Sequence, residues 1–215
     1  MKIIHKTAEY TVVCKAAGED SEHDLPGMLA EQNGDRATDY YVVHRLDKAA
    51  SGLLVLARDR QTAGELSRQL TENRLRKTYL CVVPGMPAPA SGEMQDLLYQ
   101  DKMKRKMFPV KRKRAGVKEA SLTYRVLETQ APLTFVEVEL QTGRFHQIRC
   151  QFAARKLPLV GDGKYGSRVR SPHLALFCRQ LSFYDAKEKK ECSFTAAPPA
   201  EFPWTAFSCA SDEVK

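Results

Sequence analysis

The chain has 215 residues with a 43% hydrophobic content, enough for one good-sized domain with a real core and ordinary for a soluble globular protein. No apolar run is longer than that of Leu53 to Ala57, far too short to cross a membrane, and Met1-Lys2-Ile3-Ile4-His5-Lys6 leads into no apolar signal core, so neither a membrane span nor secretion is expected. The net charge of +8 favours polyanionic partners.

In chain order, Ile3 to Thr7 and Tyr10 to Ala16 predict short strands, and the polar stretch Gly18 to Asp24 predicts a loop. Asp39 to Leu46 predicts a strand that places Tyr41, Val43, Arg45 and Asp47 on one face by period two. Leu53 to Ala57 is apolar on both faces, the pattern of a central strand. Asp59 can cap a helix running to about Arg74, with Ala63, Leu66 and Leu70 as its inward stripe. Arg76 to Val83 predicts another strand, closed by Pro84-Gly85. Residues 84–118 carry Pro84, Pro87, Pro89 and Gly92 and then a basic run, and predict an insertion or long loop.

Patterned strands resume at Ser121. Val136, Val138 and Leu140 alternate with Glu137 and Glu139, as in a half-exposed antiparallel strand over Leu133 to Leu140. Arg144 to Lys156 is helical in pattern, with Phe145, Ile148 and Phe152 inward. Arg149 lies beside that stripe, so its guanidinium is expected to point inward and to need a carboxylate. His173 to Tyr184 and Glu191 to Ala197 finish as strands. Strands without regular alternation with helices predict an α+β fold, a mixed and mainly antiparallel sheet flanked by helices, in one domain over residues 1–215.

Six cysteines (Cys14, Cys81, Cys150, Cys178, Cys192, Cys209) are scattered without a Cys-x-x-Cys pair, which predicts reduced thiols in a cytoplasmic protein. The five histidines show no ligand spacing, so no metal is expected. Nine cations lie between Lys102 and Lys118, more than the whole net charge. One reading is a solvated loop. The sharper reading is a phosphate-contacting segment, with Lys104, Arg105, Lys111 and Arg112 as contacts and Met103, Met107 and Phe108 packing on sugars or bases.

Four motifs stand out in order: His44-Arg45-Leu46-Asp47-Lys48-Ala49-Ala50-Ser51-Gly52, Lys77-Thr78-Tyr79, Gly143-Arg144-Phe145-His146-Gln147-Ile148-Arg149 and Gly161-Asp162-Gly163-Lys164-Tyr165-Gly166. Together they resemble the motif series of the RluA-type pseudouridine synthases, and the resemblance runs from Lys15-Ala16-Ala17-Gly18 to Pro198-Pro199. It departs from the family at Ala16, where a proline is usual, and at Gln151, where a histidine is common. The resemblance implies a fold with a central RNA-binding cleft and, since patterned strands begin at Ile3, no preceding S4-type RNA-binding module.

It further implies that Asp47 is the catalytic carboxylate, Arg149 its ion-pair partner and Tyr79 the aromatic that stacks on the target base. Arg45 would fill the gap left by the extruded nucleotide, and Ile148 would help wall the base pocket. His44, Lys77 and Arg144 complete the expected RNA-contacting set. Taken without the family, Asp47 reads as a structural carboxylate paired with Arg45 or Lys48, and His146 as a hydrogen-bonding core residue. The expected substrate is a uridine in an rRNA or tRNA stem-loop, isomerised without cofactor by a monomer, with no membrane or DNA partner. Two other classes stay open: a non-catalytic RNA-binding or chaperone protein that keeps the fold, and a carboxylate-dependent hydrolase, which would need a second catalytic acid.

Overall fold

The computed structural model describes residues 1–208. Its strands are β1 (Lys2–Lys6), β2 (Tyr10–Lys15), β3 (Tyr41–Val42), β4 (Ser51–Ala57), β5 (Arg76–Pro84), β6 (Ser91–Asp101), β7 (Lys106–Val110), β8 (Val117–Gln130), β9 (Leu133–Leu140), β10 (Leu176–Asp185) and β11 (Lys190–Thr195). The helices are α1 (Leu25–Asn33), α2 (Arg60–Thr71) and α3 (Gln147–Ala154). The architecture is α+β, as the irregular alternation of strands and helices predicts. The chain gathers into two units, residues 1–77 with 177–198 and residues 78–176 with 199–208, where the sequence pattern marks no boundary. No helix among the described residues is long and apolar enough to cross a membrane.

In the first unit β4 is buried along its whole length. It pairs antiparallel with β2 from Tyr10↔Ala57 to Lys15↔Gly52. On its other edge it pairs with β3 through Ala57 and Leu56 and, in parallel, with β10 through Ser51 and Gly52. A strand with neighbours on both edges and covers on both faces needs a continuous apolar run, which Leu53 to Ala57 supplies. Gly52 has a φ of 112°, and a Cβ there would lie 2.4 Å from the Cys178 backbone nitrogen and oxygen, so glycine is required where β10 arrives.

The Asp59 carboxylate accepts the Thr62 N–H at 2.8 Å and caps α2, as predicted. The buried residues of α2 are Leu66 and Gln69, while Ala63 and Leu70 of the expected stripe are half-buried. Gln69 is drawn in because its amide bonds both the N–H and the carbonyl of Tyr184. Helix α1 falls where the sequence pattern predicts no element. It carries Pro26 near its start and a left-handed Gly34 at its end, the usual start and stop chemistry, and buries Leu25, Leu29 and Ala30.

The second unit is an antiparallel sheet with neighbours in the order β5-β9-β8-β6-β7, in which β6–β7 and β8–β9 are hairpins between consecutive strands. The expectation of an insertion or long loop over 84–118 is overturned: β6 and β7 form a hairpin from Leu97↔Val110 to Asp101↔Lys106. Pro87 and Pro89 punctuate only the connection from β5 to β6. Pro109 lies on an edge strand, which tolerates a proline whose nitrogen faces away from the ladder. Helix α3 buries Ile148 and Phe152 as expected, together with Gln147, Arg149, Cys150 and Gln151. Among the cysteines, Cys81, Cys150 and Cys178 are buried, and Cys209 lies outside the described residues.

Candidate functional site

The strand expected over Asp39 to Leu46 stops at Val42, and residues 43–50 form a loop that enters β4. Arg45 and Asp47 therefore do not share a strand face. Arg45 is exposed and pairs with Glu22 at 2.6 Å, and Asp47 is half-buried. The Asp47 carbonyl accepts the Ala50 N–H at 2.9 Å, closing a turn just before β4.

His44 is the anchor of this loop. It is 6% exposed, and its Nε2 accepts the Val55 N–H at 3.3 Å. Val55 sits on the stretch of β4 edge between the β3 and β10 pairings, so an imidazole takes the place of a missing ladder partner. Burial, reinforced by the Lys77 charge, holds the His44 pKa well below its usual value. The ring is neutral with its proton on Nδ1, an atom with no hydrogen-bond partner among the described residues. Burial also lowers the Lys77 ammonium.

The loop is braced from the other side by residues 15–21. Ser21 Oγ donates to the Leu46 carbonyl and accepts the Leu46 N–H, both at 3.2 Å. The Gly18 N–H donates to the Lys48 carbonyl at 2.7 Å. Lys15 is 1% exposed, and its ammonium donates to the carbonyls of Ala16, Glu19 and Lys48 at 2.8, 2.9 and 3.3 Å. Burial pulls the Lys15 ammonium down to about 8, against the upward pull of Glu19, Asp20, Asp47 and Asp24. The segment that departs from the family pattern at Ala16 thus holds both flanks of Asp47. The sequence pattern marks it only as a strand end and a polar loop, and gives Lys15 no role.

In the second unit Tyr79 is buried on β5 opposite Val138. Arg149, 6% exposed, meets Asp162 in a fork: Nε to Oδ2 at 2.7 Å and Nη2 to Oδ1 at 2.9 Å. Asp162 also accepts the Tyr165 N–H at 3.3 Å, and the Arg149 guanidinium lies 5.2 Å from the centroid of the Tyr165 ring. The inward guanidinium thus has a carboxylate in Asp162, a residue that the sequence pattern assigns only to a turn. Ile148 is buried on the same helix, and Arg144 Nε donates to the Glu119 carbonyl at 2.9 Å. His146 caps α3 in a left-handed conformation, with Nδ1 at 3.2 Å from the Tyr165 hydroxyl.

Lys104 and Arg105 stand at the turn of the β6–β7 hairpin, and Lys111 and Arg112 follow β7; all four are exposed. Met103, 95% exposed, sits at the tip among them. Phe108 carries the ammonium groups of Lys104 and Lys106, both 5.6 Å from its centroid. Met107 is not available to a nucleic acid, because it is buried with Leu98, Ala120, Cys150 and Tyr165.

A family model described as RNA pseudouridylate synthase matches residues 1–154. An uncharacterized RNA pseudouridine synthase of Chloroflexus aurantiacus is 36% identical over 74% of this chain and 50% of its own length. A ribosomal large subunit pseudouridine synthase D of Neisseria meningitidis is 33% identical over 87% of this chain and 53% of its own length. Among solved structures, human RNA pseudouridylate synthase domain containing 1 superposes with a TM-score of 0.80 at 22% identity, over 97% of this chain and 86% of that one. The chain spans about half the length of these two sequence relatives.

Proposed function

The chain belongs to the RNA pseudouridylate synthase family, and from that membership we propose that it isomerises a specific uridine of a folded rRNA or tRNA to pseudouridine, with Asp47 as the catalytic carboxylate. The observation that carries the reading is the setting of Asp47. It is a half-buried carboxylate on a turn whose flanking backbone is held by Ser21, Gly18 and a buried Lys15. Catalysis needs a reacting group fixed in place, and a loop pinned on both sides of the residue supplies that.

Uridine and pseudouridine are isomers, so the reaction is redox-neutral. The N-glycosidic bond breaks, the base turns, a new bond forms to carbon 5, and the hydrogen on that carbon leaves as a proton. An ionised carboxylate serves either as nucleophile or as proton acceptor. In this reading Tyr79 stacks on the flipped uracil, Ile148 walls its pocket, and Arg149 supplies positive charge that holds the reacting carboxylate ionised. Arg45, on an exposed loop two residues from Asp47, enters the space left by the extruded nucleotide. Lys77 and Arg144 line the RNA path, and the exposed cations Lys104, Arg105, Lys111 and Arg112 take its phosphates. His44, expected as an RNA contact, is instead buried and bonded to Val55, and serves only through the loop it anchors. The protein acts in the cytoplasm as a monomer.

The test is tritium release from total RNA labelled at carbon 5 of uridine, drawn from cells lacking this gene. Wild type should release tritium and Asp47→Asn should not. Release by neither, with RNA binding intact in both, would sink the reading in favour of a non-catalytic RNA-binding protein.

A further inference from the structure

Among the described residues strand β7 pairs on one edge only, so alternate N–H groups face away from β6. One of them, on Met107, donates to the buried hydroxyl of Tyr165 at 2.9 Å. The same hydroxyl lies within hydrogen-bond distance of His146 Nδ1, at 3.2 Å. Two routes therefore run from β7 to Arg149. One passes through His146 into α3, on which Arg149 lies a turn later. The other passes through the Tyr165 backbone to Asp162 and its fork on the guanidinium. The Tyr165 ring also carries two cations, Lys106 at 4.8 Å and Arg149 at 5.2 Å from its centroid. Lys106 opens β7 and stands among the exposed hairpin cations, where a phosphate would compete with the ring for its ammonium.

We propose that Tyr165 is a positioning residue that couples RNA seated on the β6–β7 hairpin to the setting of Arg149. This rests on the reading of the hairpin as an RNA contact and of Arg149 as part of the reacting site. The hairpin then does more than add affinity: a polyanion on it fixes β7, and Tyr165 passes that constraint to Asp162 and α3. Packing of Tyr165 with Met107 and Cys150 leaves no slack in the link, because close-packed side chains transmit displacement.

Tyr165→Phe removes the hydroxyl and keeps the ring. Its tritium release at saturating RNA should fall about tenfold while its dissociation constant for the RNA stays within about twofold. In parallel, unlabelled total RNA should protect the amides of residues 162–166 from hydrogen exchange in wild type. In Tyr165→Phe that protection should be lost while protection of the hairpin persists. Unchanged rate and unchanged protection at 162–166 would overturn the proposal. So would a parallel loss of rate and affinity, which assigns the hydroxyl only to folding of the hairpin. If Tyr165→Phe does not fold, Lys106→Gln keeps the hydroxyl bonds and should likewise lose protection at 162–166 alone. A wild type that releases no tritium would end the functional reading, while the exchange experiment still decides the coupling.

Discussion

The buried ammonium of Lys15 donates to the carbonyl of Lys48, the residue immediately after Asp47, at 3.3 Å. Two effects of Lys15→Met oppose each other. The substitution leaves the Ala16 and Glu19 carbonyls without this donor, a cost of about 1–3 kcal/mol. It also removes a charge whose burial costs about as much, and apolar replacement of buried charge is often neutral. Global stability of Lys15→Met at pH 7 should therefore stay within about 1–2 kcal/mol of wild type by urea unfolding. Its tritium release should fall by about tenfold or more, because the turn carrying Asp47 loses a brace and a positive charge in its field. A fully active variant would show that the brace is dispensable.

The same residue sets a pH signature. Its folded pKa, about 8, lies below the usual lysine value, so between pH 8 and 10.5 the unfolded chain binds more protons than the folded one. Stability contributed by this group must then rise with pH across that window, by a total of about 3 kcal/mol, as the penalty for burying the ammonium disappears. Unfolding free energies of wild type minus Lys15→Met at pH 7 and pH 10 give the sign directly. A difference that shrinks at pH 10 contradicts the assignment of a lowered pKa.

Asp162 holds the buried Arg149 guanidinium within the second unit. Removing one member of a buried pair leaves the other charge poorly compensated, at a cost of about 3–5 kcal/mol. Asp162→Asn keeps the shape and one acceptor, so it should lose about 3 kcal/mol in chemical denaturation. Arg149→Lys should also be damaging, since a single ammonium cannot match the two parallel bonds of the fork. A stability change under about 1 kcal/mol for Asp162→Asn would mean that the fork is not holding α3 to its turn.

Two glycines should respond with opposite signs. At Gly52 an added Cβ would strike the Cys178 backbone at 2.4 Å, and the φ of 112° is itself unfavourable for alanine. Gly52→Ala should cost about 2 kcal/mol or more, read as a lowered melting temperature, because β4 and β10 must separate. Gly64 lies exposed within α2 with nothing within 4 Å of an added Cβ. Gly64→Ala should add about 0.5–1 kcal/mol through helix propensity alone.

Legibility from sequence follows the strength of local signals. The run Leu53 to Ala57 and the Asp59 cap announce β4 and α2, since burial on both faces and capping leave direct marks in residue type. His44 and Lys15 leave no such mark. Their roles arise from gaps in backbone pairing, on the β4 edge and beneath the Asp47 turn, that exist only once the chain is folded. The strand expected over Asp39 to Leu46 breaks off for the same reason: alternation suggests an extended segment, while the partner edge beyond Leu56 is filled by an imidazole. The β6–β7 hairpin is hidden by its charges, since the apolar positions it buries, Met94, Leu98 and Met107, are widely spaced among polar and basic residues.

Those charges give the last prediction. Lys104, Arg105, Lys111 and Arg112 are exposed, and Lys104 meets Asp101 only at 3.8 Å, a surface ion pair of little strength. Neutralising all four with glutamine should leave stability nearly unchanged, because none is buried. RNA affinity should fall, and each phosphate that is no longer neutralised should reduce the slope of log K against log salt by about 0.7–0.9. Four such phosphates predict a slope smaller by about 3, measured by binding titrations at several salt concentrations. The control is to neutralise Arg60, Arg68, Arg74 and Lys187, which removes the same number of exposed charges from the other unit. If RNA is held at the hairpin rather than by net charge, the control should change the slope by less than about 1. Equal reductions from both sets would mean that the protein binds RNA through its overall field, and the hairpin would lose its claim as the seat of the substrate.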